Sequence, residues 1–171
     1  MAKKKNYKEC ITTPFETGIR NFSAVAKYFL YYAPDIDSAQ SVGIIENERA
    51  ERLMQLLLEQ NGLTRKNKIL KKIQPSSWKA FGFDQDNIDF EQSAMIFDKY
   101  STETDFHALL RHLRNALAHG HIYVWKKKTG NFIFLVDLDS KKKKVTAKIL
   151  VSMPILESWK ALIENEIALG E

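Results

Sequence analysis

The sequence predicts a mostly α-helical bundle with a small three-stranded antiparallel β insert before the C-terminal helix. Apolar residues recur at helical spacing through the first two thirds of the chain, the period changes to that of strands after residue 120, and Pro154 then marks a new helix start. We therefore expect a single domain over residues 1–171. Its expected parts are a helical core at 12–120, a basic β insert at 121–152 and a C-terminal helix at 153–168.

The first predicted helix begins near Thr13. Thr13, Pro14 and Glu16 have the spacing of an N-cap, a first-turn proline and a capping-box partner, and aromatic residues then recur at helical spacing as far as Pro34. The following segments are a helix at 41–61, a short basic helix at 64–73, an aromatic turn at 78–83 and a helix at 89–100.

The next helix, at residues 106–118, has an apolar face and a polar face. Its apolar residues fall at helical spacing on one narrow stripe, and they are Phe106, Leu109, Leu110, Leu113 and Leu117. Capping residues are available at 101–105. The polar face is not needed for the core, so its side chains are candidates for function.

Three strands are predicted after this helix. Residues 121–125 and 132–136 are rich in aromatic and β-branched side chains, and the Lys-Lys-Thr-Gly-Asn segment between them is typical of a hairpin turn. Residues 145–151 alternate between apolar and other side chains, which predicts a third strand. The last helix has an inward apolar face that includes Trp159.

Composition excludes several classes of protein. No apolar run approaches the roughly 20 residues that a bilayer-spanning helix needs, and the Met-Ala-Lys-Lys-Lys start leads into polar residues rather than a signal-peptide core. We expect a cytoplasmic protein without membrane association. A lone cysteine, Cys10, has no second cysteine for a disulfide or a zinc site. Nucleotide-binding glycine loops and metalloprotease or hydrolase motifs are absent from the sequence.

Positive charge is concentrated in the predicted β insert. The whole chain has a formal charge of +5, whereas residues 121–150 contain eight lysines and two aspartates, a local charge of +6. Such a patch suits a polyanion such as RNA, although a solvated loop that aids solubility explains it equally well. The candidate RNA-binding residues are Lys126, Lys127, Lys128, Lys141, Lys142, Lys143 and Lys144.

Residues 111–121 hold three of the four histidines and two of the six arginines. Asn115 and His119 are four residues apart, so the amide can contact the imidazole and influence its tautomer. Arg114 lies about 140° from His119 around an ideal helix. The two converge only if the helix ends near Gly120 and the arginine bends back, or if they meet across a dimer.

These residue types suit cleavage of RNA by its own 2′-hydroxyl. A histidine can accept or donate a proton at neutral pH, and a guanidinium can hold two phosphate oxygens at once. We assign proton transfer to His119, phosphate binding to Arg114 and orientation to Asn115, with Arg111 and His121 as supporting groups beside the site. The chemistry needs no metal and no cofactor. Two copies related by a two-fold axis would supply both an acid and a base.

Residues 114–119, Arg-Asn-Ala-Leu-Ala-His, resemble the R-x(4–6)-H motif of HEPN proteins, including the polar residue that follows the arginine. The resemblance implies an all-α bundle, a homodimer with its motifs at the interface, and a metal-independent endoribonuclease. It also implies a toxin–antitoxin or antiviral defence system, with RNA as substrate and an antitoxin protein as a further partner. The basic β insert departs from a minimal HEPN bundle.

Other interpretations stay open at this point. A HEPN module can be non-catalytic and bind a nucleotide, RNA or a protein through the same polar face. The lysine-rich hairpin can instead be the main nucleic-acid-binding element on a structural helical dimer. His119 on its own also fits a histidine that interacts with the dipole at a helix C-terminus.

Overall fold

The computed structural model describes residues 5–6, 17–35, 44–63, 78–79, 81–84, 87–88, 93–139 and 141–169. The predicted helix start at Thr13 and the predicted basic helix at 64–73 lie outside these residues. Within them, no helix is long and apolar enough to cross a membrane.

The described residues contain four α-helices. Their bounds are α1 Phe22–Lys27, α2 Asn47–Glu59, α3 Asp105–Ala118 and α4 Met153–Ala168. α1 continues into a π-helical turn, Tyr28–Tyr32. The helices predicted around the motif and at the C-terminus are confirmed as α3 and α4.

α1 and α2 begin later than the sequence predicted. Asn21, directly before α1, has a φ of 64°, and this left-handed conformation cannot belong to a right-handed helix. Ile44 was expected within the second helix, at 41–61, but it is 87% exposed and precedes α2. α2 starts only after Glu46, whose backbone is extended.

A four-stranded antiparallel sheet occupies the second half of the chain. Its strands are β4 Ala94–Phe97, β5 Ile122–Lys127, β6 Gly130–Asp139 and β7 Lys144–Ser152, in the spatial order β4-β7-β6-β5. A second sheet has three two-residue strands in the order β1-β3-β2, and these are β1 Lys5–Asn6, β2 Phe83–Asp84 and β3 Asn87–Ile88.

The predicted fold class is therefore wrong: the protein is helix-rich, but it is built around a four-stranded sheet rather than carrying a three-stranded insert. The predicted helix at 89–100 is also wrong, because β4 lies in its place. β4 pairs with β7 through the opposed residues Met95 and Ile149, and Phe97 and Ala147. All four residues of β4 are buried. A strand that is covered on both faces has no alternation of apolar and polar residues to identify it.

The sheet is the middle layer of the structure. One face packs against the helices, and its residues Met95, Phe97, Ile133, Leu135 and Ile149 share a core with Trp159 and with residues of α1, α2 and α3. The other face is covered by the segment around Phe83 and Ile88, which packs against Ala94, Ile96, Phe134, Val136 and Leu150. Because the sheet is buried on both sides, its removal would expose both apolar regions.

Candidate active site

The motif lies on α3 and on the turn that ends it. Thr104 caps the first turn, where its Oγ1 accepts a hydrogen bond from the His107 backbone N–H at 3.3 Å. His119 is the C-cap residue, and Gly120 follows with a φ of 69°. The N–H groups of Gly120 and His121 donate to the carbonyls of Leu117 (3.2 Å) and Ala116 (3.0 Å). These two hydrogen bonds form a Schellman motif, which needs a residue such as glycine in the left-handed region.

The predicted division of α3 into two faces is confirmed. The apolar stripe is buried, with Phe106, Leu109, Leu110, Leu113 and Leu117 each at most 4% exposed. Arg114 and Asn115 are half-buried, and His119 is exposed. The helix thus presents the motif residues away from the helical core.

Two cavities lie beside the polar face of α3. The His119 cavity, of about 270 Å³, is lined by Asp98, Tyr100, Arg111, Asn115, His119, Asp137, Leu138, Asp139, Lys141, Lys142, Lys144 and Thr146. The Arg114 cavity, of about 630 Å³, is lined by Asp35, Ile44, Ile45, Glu46, Asn47, Thr102, Glu103, His107, Leu110, Arg111, Arg114 and Asn115. Asn115 and Arg111 line both. Arg114 and His119 line different cavities of one chain.

Asn115 has a different partner from the predicted one. Its Nδ2 donates to Asp137 Oδ2 at 3.2 Å, whereas a contact of its side chain with His119 was predicted. Helical spacing brings Asn115 and His119 together only through the backbone, where the His119 N–H donates to the Asn115 carbonyl at 3.0 Å. The amide is therefore held by β6.

His112 lies in the interior of the protein. It is 0% exposed. Its Nδ1 lies 2.6 Å from Asp137 Oδ2, and its Nε2 lies 2.7 Å from the Asp98 carbonyl oxygen and 3.4 Å from Asp98 Oδ1. An imidazole with acceptors at both nitrogens is held as the doubly protonated cation.

The electrostatics of this network agree with a charged imidazole. Burial by itself would lower the pKa of His112, but the hydrogen bonds to Asp137 and Asp98 outweigh it and raise that pKa above its ordinary value. Burial would likewise raise the pKa of Asp137, and the hydrogen bonds from His112, Asn115 and Thr146 instead bring it below the usual range. The pKa of Asp98 is lowered, mainly by its hydrogen bond with His112.

Asp137 was not among the predicted site residues. Asp137 is buried at 4% exposure, and a register shift in the β6–β7 pairing falls between it and Leu138. Thr146, the residue that this bulge adds to β7, donates from Oγ1 to Asp137 Oδ2 at 3.1 Å. The available signal was strand alternation, because it places Asp137 on the same face as Ile133 and Leu135. A carboxylate on a buried face needs charged or hydrogen-bonding partners.

Arg111 and His107 are engaged in ion pairs. Arg111 Nε and Nη2 lie 2.6 and 2.9 Å from the two carboxylate oxygens of Glu103, and its guanidinium lies 4.4 Å from the Tyr100 ring centroid. His107 Nε2 lies 3.2 Å from Asp35 Oδ2, and this hydrogen bond raises the pKa of His107. Both residues therefore stabilise the walls of the Arg114 cavity.

His121 lies beside His119. The centroids of their rings are 6.1 Å apart, and the ring planes are inclined by 31°. His121 Nδ1 is buried, and no hydrogen-bond partner for it exists among the described residues. His121 does not line the His119 cavity.

The predicted lysines form two groups rather than one compact patch. Lys127 pairs with Gly130 at one end of β6, and Lys144 pairs with Asp139 at the other. The nine residue steps of β6 span about 30 Å. The first group lines the His119 cavity and consists of Lys141, Lys142 and Lys144. The second group lies at the hairpin turn at the other end of β6 and consists of Lys126, Lys127 and Lys128. In this group, Lys127 Nζ is 5.3 Å from the Phe132 ring centroid.

No group of three or more His, Cys, Asp or Glu side chains is arranged to hold a metal ion within the part of the chain that the structure describes. The side chains that line the His119 cavity are mainly lysines, aspartates and one histidine. They are suited to hydrogen bonding and proton transfer.

Comparison with known proteins identifies the family. The model of the family described as HEPN pEK499 p136 matches residues 45–166, which include α2, α3, all four strands of the larger sheet and most of α4. No curated protein and no solved structure matches the chain. Because the match extends over well more than half of the chain and contains the motif, the chain belongs to the HEPN family, in the branch described as HEPN pEK499 p136.

Proposed function

We propose that the chain is a metal-independent endoribonuclease that acts as a homodimer. His119 transfers protons, Arg114 binds phosphate, and Asn115 orients the reacting groups. The observation that carries this proposal is the composition of the His119 cavity, where an exposed imidazole, the Asn115 amide and three lysines line one space. Lysines attract the phosphate backbone, and an imidazole beside it can move a proton at neutral pH.

In the proposed reaction, the ribose 2′-oxygen attacks the adjacent phosphorus while His119 accepts the hydroxyl proton. The bond from phosphorus to the 5′-oxygen breaks, and that oxygen receives a proton from a second group. The products are a 2′,3′-cyclic phosphate and a 5′-hydroxyl. A guanidinium stabilises the negative charge that develops on the phosphate oxygens.

The separation of Arg114 from His119 supports a dimeric site. Within one chain these residues line opposite flanks of α3. A two-fold axis near the polar face of α3 would bring the Arg114 cavity of one copy beside the His119 cavity of the other.

Incubation of the purified protein with labelled RNA and with DNA of the same sequence, in the presence of EDTA, tests the proposal. We expect RNA to be cleaved with 2′,3′-cyclic phosphate ends and DNA to remain intact. His119→Gln, which keeps the length and polarity of the side chain, should remove the activity without changing the melting temperature. Persistence of wild-type cleavage in this variant would refute the assignment.

The second candidate is a non-catalytic module. The larger cavity beside Arg114 favours it, because its volume of about 630 Å³ is within the range of small-molecule and nucleotide sites. If no RNA is cleaved but a ribonucleotide binds in a manner that depends on Arg114, this function replaces the nuclease. A role in toxin–antitoxin or antiviral defence, with an antitoxin partner, is proposed from the family alone.

A further inference from the structure

The inference concerns how the His119 cavity distinguishes RNA from DNA, and it rests on the proposed function. We propose that Asn115 recognises the ribose 2′-hydroxyl through its amide oxygen, and that Asp137 is the positioning residue that turns this oxygen toward the His119 cavity.

Asp137 Oδ2 accepts hydrogen bonds from three side chains of different elements. His112 Nδ1 lies at 2.6 Å, Thr146 Oγ1 at 3.1 Å and Asn115 Nδ2 at 3.2 Å. Asp137 is 4% exposed and His112 is 0% exposed, so the contact between these two side chains is shielded from water. His112 and Thr146 hold the carboxylate in place independently of Asn115.

An ionised carboxylate accepts hydrogen bonds and cannot donate them. The side of the Asn115 amide that faces Asp137 must therefore be its NH₂ group, and its carbonyl oxygen must face the opposite way. Among the described residues, the hydrogen bond of this side chain is the one that Nδ2 donates to Asp137. Asn115 lines both the His119 cavity and the Arg114 cavity, and in the proposed arrangement its oxygen is an acceptor in the His119 cavity.

The remaining polar groups of this cavity make such an acceptor distinctive. His119, Lys141, Lys142 and Lys144 are donors or cations that suit phosphate. The carboxylates are already engaged: Asp139 Oδ1 accepts from the backbone N–H groups of Lys141 and Lys142, at 3.0 Å each. Asp98 forms an ion pair with His112, and Asp137 forms a hydrogen bond with it.

A ligand that satisfies these groups combines an anionic phosphate with a neutral hydroxyl donor close to it. The ribose 2′-hydroxyl beside the RNA phosphodiester has this chemistry, and DNA lacks it. One neutral hydrogen bond to that hydroxyl corresponds to a preference for RNA on the order of threefold to tenfold in Kd.

Binding in a background that does not cleave tests the proposal. All variants carry His119→Ala, and the Kd is measured for an RNA oligonucleotide and for the 2′-deoxy oligonucleotide of the same base sequence. We expect the ratio of the two Kd values to favour RNA by about threefold to tenfold. Asn115→Ala should bring the ratio close to one, and Asp137→Asn should reduce it because the amide can then reverse. Asn165→Ala, an exposed asparagine on α4, is the matched control and should leave the ratio unchanged.

A general loss of folding would weaken the binding of both oligonucleotides equally. The ratio of the two Kd values therefore reports the orientation of the Asn115 amide rather than the stability of the protein. An unchanged ratio in Asn115→Ala overturns the proposal, and an unchanged ratio in folded Asp137→Asn overturns the positioning role. If the wild type cleaves RNA and Asn115→Ala leaves the Kd ratio unchanged, the role of Asn115 is wrong and the nuclease assignment stands. If the Kd ratio depends on Asn115 but the wild type never cleaves RNA, the nuclease assignment is wrong and the role of Asn115 stands.

Discussion

His112 Nδ1 and Asp137 Oδ2 lie 2.6 Å apart between α3 and β6, where the two side chains are 0% and 5% exposed. The pair joins the helix that carries the motif to the central strand of the sheet. Burial removes the solvation of both charges, so each depends on the other and on Asp98, Thr146 and Asn115 for compensation. The position of α3 on the sheet is thus coupled to an ionic contact.

Loss of one partner of this pair should destabilise the protein strongly. We expect His112→Ala or Asp137→Ala to lower the free energy of unfolding by about 3–5 kcal/mol, because each leaves an uncompensated buried group. Chemical denaturation measures the change. The double variant should cost less than the two single changes added together. Additive losses would mean that the two side chains do not interact.

The same pair predicts how stability depends on pH. The pKa of His112 is raised in the folded state, so its contribution is fully present below the unfolded value of about 6.5 and is lost as the pH rises through the folded pKa. The pKa values of Asp98 and Asp137 are lowered. Their contribution is present above about pH 3.9 and is lost as the pH falls through the folded values.

Denaturation of the wild type and of His112→Gln from pH 5 to pH 9 separates this effect from that of His107, whose pKa is also raised. The stability difference between the two proteins should be largest at the acidic end of this range and should shrink in the alkaline part. A difference that stays constant across the range would indicate that His112 is neutral in the folded protein.

A composite dimeric site predicts complementation between inactive variants. His119→Ala should reduce the cleavage rate by at least about 100-fold and retain RNA binding, whereas Arg114→Ala should impair both rate and affinity. A heterodimer of the two variants contains one intact site. A refolded equimolar mixture should therefore recover about a quarter of the wild-type activity if the subunits combine at random. A mixture as inactive as its components would place both residues in one chain's site.

The two lysine groups should differ in their contribution to RNA binding. Changing Lys141, Lys142 and Lys144 to glutamate should weaken binding and reduce its salt dependence, by about 0.7 in the logarithmic slope for each lost contact with a single strand. The matched triple change at Lys126, Lys127 and Lys128 lies at the other end of β6 and should have the smaller effect. Titration at several salt concentrations decides this. Equal effects would indicate that RNA spans the whole length of β6.

Elements that are buried on one face only could be predicted from the sequence. α3 has one apolar stripe and a glycine stop, and the β5–β6 hairpin has a clear turn, so local patterns identified both. β4 could not be recognised, because Ala94, Met95, Ile96 and Phe97 are buried on both faces and lack a period. A short apolar run of this kind fits a buried helix segment equally well. The fold class was wrong for this reason.

The candidate site was predictable to the extent that it depends on a single helix. The sequence placed Arg114, Asn115 and His119 on the polar face of α3, and the structure does so too. It could not identify the partner of Asn115, because Asp137 is 22 residues away and reaches the amide only through the sheet. The burial of His112 could not be predicted for the same reason, since the carboxylates that it contacts lie on β6 and directly after β4.

The length of β6 places an exposed site for labelling far from the motif. Residues 128–129 form an exposed turn at the hairpin tip, about 30 Å along the strand from the end that adjoins the His119 cavity. Exposed loop tips accept insertions readily. A fluorophore or an affinity peptide grafted there would report on subunit association or immobilise the protein while leaving the motif unobstructed.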